Sequence, residues 1–227
     1  MAAIVIVVWL AGNMDRGLDI TDESYYLVRA LWSDNASSIT GFEHYLDIMM
    51  LLAQQEIALV KIMGLLLLAV GCIALVVSGT HYSAAIHLER HSPVHTTIVA
   101  AKALVGGTLY FGWWLTTPSY NWFVLTASLF SFAATLSLCR ILHRSSSQAL
   151  LTNSVPVWTR CSVITFFIVV CFFCKPTSGA ALAVLVFTCL SLNLRLSQFL
   201  GVLALLTTTG LLWIIIHLYI FKEGQKN

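Results

Sequence analysis

Residues 57–79 read IALVKIMGLLLLAVGCIALVVSG, 23 positions interrupted by a single charge, Lys61. An α-helix rises about 1.5 Å per residue, so about 20 apolar residues cross the roughly 30 Å of bilayer hydrocarbon. This stretch is long enough to do so. Working outward from it, comparable stretches lie at 97–116, 120–138, 158–174, 177–193 and 198–221, which makes six expected spans. Composition agrees: 59% of residues are hydrophobic, 10% are charged and the mean hydropathy is +0.87, against about 45–50% apolar and about 25% charged in an ordinary soluble chain. The expected fold is therefore all-α, a polytopic transmembrane helical bundle, with residues 1–227 forming one membrane domain.

Ahead of these spans runs MAAIVIVVWLAG at 1–12. It makes only about 18 Å of helix and lacks the basic start of a signal peptide. We expect a short N-terminal span here. The last span runs to Phe221 and leaves only KEGQKN, so we expect a fragment, or a half, of a larger membrane protein. The net charge of +2 is too small to suggest nucleic acid as a partner. The six cysteines lie in or beside apolar stretches, without the loop spacing of a disulfide framework or a zinc site. No internal repeat is present, and SSSQ at 145–148 is the one low-complexity patch.

Orientation is set by Lys and Arg in short loops. With the N-terminal stub starting in the cytoplasm, Arg90, Arg140, Arg144, Arg160 and Arg195 fall inside, while Arg16, Arg29, Lys175, Lys222 and Lys226 fall outside, five against five. Clustering of Arg140, Arg144 and Arg160 in one loop breaks the tie and assigns the acidic segment 13–56 to the outer face. Eight of the ten acids lie between Asp15 and Glu56.

That segment is too long for a tight connector, and loops of such length carry function or secondary structure of their own. Thr21 followed by Asp22 and Glu23 reads as an N-cap with acids in the first turn, opening a helix through Tyr25, Tyr26, Arg29 and Trp32. Helical spacing puts Asp22, Tyr26 and Arg29 on one face. A second helix, about 41–54, carries Tyr45, Ile48, Met49 and Leu52 on one side and Glu43, Asp47 and Gln54 on the others, a pattern suited to the membrane interface. Asp22 and Glu23 are either first-turn acids favoured by the helix dipole, or a general base or metal ligand facing the membrane surface. Spacing does not separate these.

Four motifs, in order, resemble the N-terminal half of GT-C fold glycosyltransferases, in the bacterial branch of aminoarabinose transferases and protein O-mannosyltransferases. They are LDITDESYYLVRALW at 18–32, EIALVKIMGLLLL at 56–68, TPSYNWF at 117–123 and CKPTSGAALAVL at 174–185. Relatives in that family often have Arg at the Lys61 position, and the last motif aligns with a Lys-Gly-Pro type sequence after the fifth span. The resemblance implies a transferase that moves a sugar from a polyprenyl-phosphate donor to a lipid, glycan or protein acceptor at the outer face of a bacterial inner (plasma) membrane. It implies Asp22 as the catalytic acid with Glu23 beside it, and Lys175 near the donor phosphate, with Tyr26 and Arg29 lining the substrate site. Two positions depart from the family. TTPSYN stands where relatives often carry another acid, so Tyr120 or Asn121 takes that place, and the lysine motif reads Lys-Pro-Thr. The family's larger C-terminal part is missing, so a missing segment or a partner subunit is expected to complete the enzyme. Membrane lipids are expected partners; no metal site is assigned, and a divalent cation is left open as a cofactor.

The chemistry is consistent: displacement at an anomeric carbon needs a carboxylate to take the acceptor proton and positive charge to stabilise the departing lipid phosphate. For Lys175 the other reading is snorkelling to the headgroups, and Lys61 and Lys102 admit the same two readings. His87 and His91 in HYSAAIHLERHSPVH stand at i, i+4 but in the order H-L-E-R-H, which reads as an interfacial polar face. Cys171 and Cys174 form a CxxC inside an apolar span, away from any strand-to-helix turn. Gly106, Gly107 and Gly112 read as helix-packing positions. Asn35-Ala36-Ser37 is a glycosylation sequon, meaningful only in a eukaryotic secretory setting. The rival functions are a transporter component, for which the Lys175-Pro176 break is the one hint, without a counterpart in an inverted half, and a non-catalytic membrane scaffold.

Overall fold

The computed structural model describes residues 41–87, 92–112, 119–144 and 154–224. These form α1 (Phe42–Leu52), α2 (Ile57–His87), α3 (Pro93–Gly112), α4 (Tyr120–Arg144), α5 (Ser154–Cys174), α6 (Pro176–Asn193) and α7 (Leu196–Gly224). No strand occurs among the described residues. Among the described residues, five helices are long and apolar enough to cross a membrane: Ile57–Ile86, Tyr120–His143, Val155–Cys174, Pro176–Asn193 and Leu196–Tyr219. The chain is a helical membrane bundle. The stretch expected to span at 97–116 is helical through Gly112 but is not among these five; His95, Thr96, Thr97 and Lys102 dilute its apolar character. The expected N-terminal span lies outside the described residues.

Chain reversals follow from local chemistry. Gln54 and Gln55 turn the chain between α1 and α2 with φ of 52° and 64°, a left-handed conformation that costs an L-residue roughly 1–2 kcal/mol each. Backbone bonds from Gln54 N to Leu51 O (3.1 Å) and Gln55 N to Met50 O (2.8 Å) hold it. Between α5 and α6 the link is one residue, Lys175, held extended (φ −154°, ψ 97°) by the proline after it. Pro176 then starts α6 where its missing N–H is not needed, and the Lys175 carbonyl accepts from Ser178 N and Gly179 N, both at 3.0 Å. The hairpin is so tight that a Cβ on Gly179 would sit 2.4 Å from Phe172 Cα.

α4 is the central helix, packed against α2, α5 and α6, while α7 leans on α5. Leu68, Leu138, Leu142, Ile164, Val157 and Leu190 fill the seams. Gly107 brings α3 onto Cys72 of α2, whereas Gly106 faces open space, so only one of that pair serves close packing. Polar side chains tie helices together at several points. Thr165 Oγ1 donates to Thr209 Oγ1 at 3.0 Å, Trp213 Nε1 to Ser162 Oγ at 3.0 Å, and Gln198 Nε2 to the Leu142 carbonyl at 3.2 Å. Leu66, Val70, Leu200, Leu211 and Ile215 point outward, as lipid-facing positions should. All six cysteines are free thiols, the CxxC pair included.

The helices run antiparallel, so side chains sort to two ends. One end carries α1, the start of α4, the Lys175 link and the end of α7. The other carries His87, the ends of α4 and α6, and the starts of α5 and α7.

Candidate functional site

The first end gathers the chemistry. α1 docks there as a short wedge: Gly41 N donates to Phe173 O at 2.9 Å, Phe42 meets Tyr120 edge-on at 6.1 Å, and Tyr45 lies 5.7 Å from Phe123 and 5.8 Å from His217. Its buried face is Phe42, Glu43, Leu46, Met49 and Met50, whereas Ile48, Leu51 and Leu52 point outward. Of the side expected to be apolar, Met49 packs inward and Tyr45 is half-buried, while Ile48 and Leu52 face outward. Wheel spacing weighs apolar residues alike, but the bundle end offers a narrow seat. That seat takes the 42, 46, 49, 50 stripe and carries Glu43 in with it.

Lys175 and Tyr120, expected near the substrate from motifs 55 positions apart, are brought together. Lys175 Nζ lies 5.6 Å from the centre of the Tyr120 ring, a cation–π arrangement that holds the ammonium without neutralising it. Both side chains are half-buried, as is Asn121 beside Tyr120. Ser119, buried just ahead of α4, accepts from Trp122 N at 3.3 Å through Oγ and so caps the helix that presents Tyr120. Asp22, Glu23, Tyr26 and Arg29 lie outside the described residues.

Lys61 is 2% exposed, so it does not snorkel to the headgroups; that reading is corrected. Lys102 is exposed on α3. His217, which the sequence reading passed over, is buried on α7 and sandwiched against Phe173 at 5.5 Å with an 8° tilt. Its Nδ1 faces the Trp213 carbonyl at 2.7 Å; since a carbonyl only accepts, Nδ1 carries the proton. The available signal was an ionisable residue near the end of an apolar span.

Asp47 has a buried Oδ1 with no hydrogen-bond partner. Burial, and then the nearby Glu43 charge, push its carboxyl up to about 6. The sign follows from linkage. The folded state holds the proton more tightly than the unfolded chain, so α1 docking is firmest below about pH 4 and weakens as pH rises from there through 6. His44 works in the opposite sense, because burial lowers its pKa and acidification must charge it. In a His44→Gln background, hydrogen exchange of α1 amides, corrected for intrinsic rate, should show greater protection at about pH 3.5 than at about pH 7, on either side of that window. Adding Asp47→Asn should remove the difference.

No group of three or more metal-ligating side chains occurs among the described residues; His91 of the H-L-E-R-H run lies outside them. No family model, curated protein or solved structure matches the chain.

Proposed function

We propose that the chain is the membrane module of a glycosyltransferase of the GT-C type, taking a sugar from a polyprenyl-phosphate donor and passing it to an acceptor at the face where α1 docks. The stretch at 97–116 and the N-terminal stub bring its crossings to six spans and a short seventh. The face with α1 is the outer one, in a bacterial inner membrane. The observation that carries the reading is the meeting of Lys175 and Tyr120 at the end that also holds α1. A half-buried ammonium at the bundle rim, seated on an aromatic face, suits a lipid phosphate whose prenyl chain lies along the outward apolar surfaces. In that role Lys175 stabilises the leaving phosphate, Asp22 takes the acceptor proton with Glu23 beside it, and Tyr26, Arg29 and Asn121 line the sugar. A charge-assisted contact of this kind is worth about 1.5–3 kcal/mol, so Lys175→Ala should weaken polyprenyl-phosphate binding about 10- to 100-fold in a detergent titration. Equal affinity in Lys175→Ala and wild type, both folded, removes the donor site from this end.

A further inference from the structure

Among the described residues, the opposite end of the bundle is basic. Among the described residues, Arg140, Arg160 and Arg195 lie there together with His81, His87 and His143, and no carboxylate accompanies them. Two of these arginines are set into the α4–α5 seam. Arg160 donates from Nε to Ser137 Oγ at 2.9 Å and from Nη1 to the Pro156 carbonyl at 2.8 Å. Ser137 stands one turn before Arg140 on α4, so its bond to Arg160 brings the two arginines to the same level of the seam. Both are half-buried, and neither makes an ion pair among the described residues. Two like charges held together at the edge of an apolar bundle are unfavourable unless an anion sits between them. Trp158, exposed on α5 two residues before Arg160, marks the level at which aromatic side chains meet headgroups.

We propose that Arg140 and Arg160 clamp the headgroup phosphate of an anionic phospholipid in the leaflet opposite the α1 end. The neutral ties of Arg160 to Ser137 and Pro156 fix one guanidinium in place and leave its outer N–H groups to donate. Arg140, whose side chain makes no hydrogen bond to another described residue, completes the fork around the phosphate oxygens. The site is separate from the Lys175 end and does not depend on the function proposed for it. Its ligand differs in kind too: a bulk phosphodiester lipid that anchors the bundle.

The test uses the full chain in nanodiscs and in detergent. Phosphatidylglycerol should raise the thermal midpoint of wild type, whereas phosphatidylcholine should not, and Arg140→Gln should bind phosphatidylglycerol about fivefold more weakly. Arg160→Gln should do the same; if it fails to fold through loss of its Ser137 tie, Arg140→Gln alone decides. Inorganic phosphate is the second arm: no stabilisation at millimolar levels assigns the site to lipid, and a rise equal to that with phosphatidylglycerol overturns the lipid assignment. An unchanged response to phosphatidylglycerol in folded Arg140→Gln overturns the clamp.

Discussion

Replacing Gly179 by alanine should unfold the bundle more readily than any other single-methyl addition along α6. The added Cβ would lie 2.4 Å from Phe172 Cα, 2.6 Å from Phe172 N and 2.8 Å from Phe172 Cβ. Two of these are backbone atoms, which cannot swing aside as a side-chain end can. Relief requires the α5–α6 hairpin to open, but its one-residue link leaves no slack. Overpacking of a tight seam costs typically 1–3 kcal/mol, and a backbone clash with a pinned turn puts Gly179→Ala at about 3 kcal/mol or more. Gly201 on α7 is the control, because a Cβ there meets nothing within 4 Å. Gly201→Ala should be neutral or stabilising by up to about 1 kcal/mol through helix propensity. Thermal unfolding in detergent compares the two. Similar midpoints would mean that the hairpin is looser than the structure shows.

The parts of this architecture that were legible in the sequence are those set by strong local rules. Pro176 fixes the boundary between 158–174 and 177–193 almost to the residue, since a proline can start a helix but the residue before it cannot continue one. Long apolar runs name α2, α4 and α7 as spans. The far end of α2 was read short, at Gly79, because the following residues are polar. They stay helical where Tyr82 bonds Asn193 of α6. Tertiary partners, invisible in a linear pattern, keep the helix going to His87.

At the site the same division holds. Lys175 stands out through the resemblance of CKPTSGAALAVL to the family's lysine motif, and Tyr120 through the departure at TTPSYN. That the two meet is a matter of how α4 and the α5–α6 hairpin pack, which no spacing encodes. Lys61 was misread because position in a span says nothing about which side faces the bundle. Glu43 and His217 do not stand out in the sequence because other polar residues share their helices and no spacing sets these two apart. Burial alone makes them notable.

The central claim is transfer itself, and Asp22 carries its largest expected effect. A general base that removes the acceptor proton contributes about 10²–10⁴-fold, and asparagine keeps its shape while losing its basicity. The direct measurement is release of sugar from a panel of radiolabelled polyprenyl-phosphate sugars, mannose and aminoarabinose among them, to a membrane acceptor by the purified full chain. Wild type, with a membrane extract present to supply a completing partner, should transfer at least one of these. Asp22→Asn should fall by about 100-fold or more while keeping its thermal midpoint and its polyprenyl-phosphate affinity. Transfer undiminished in a folded Asp22→Asn protein would contradict the assignment. No transfer by wild type across the panel, with no donor binding, would move the chain from enzyme to scaffold.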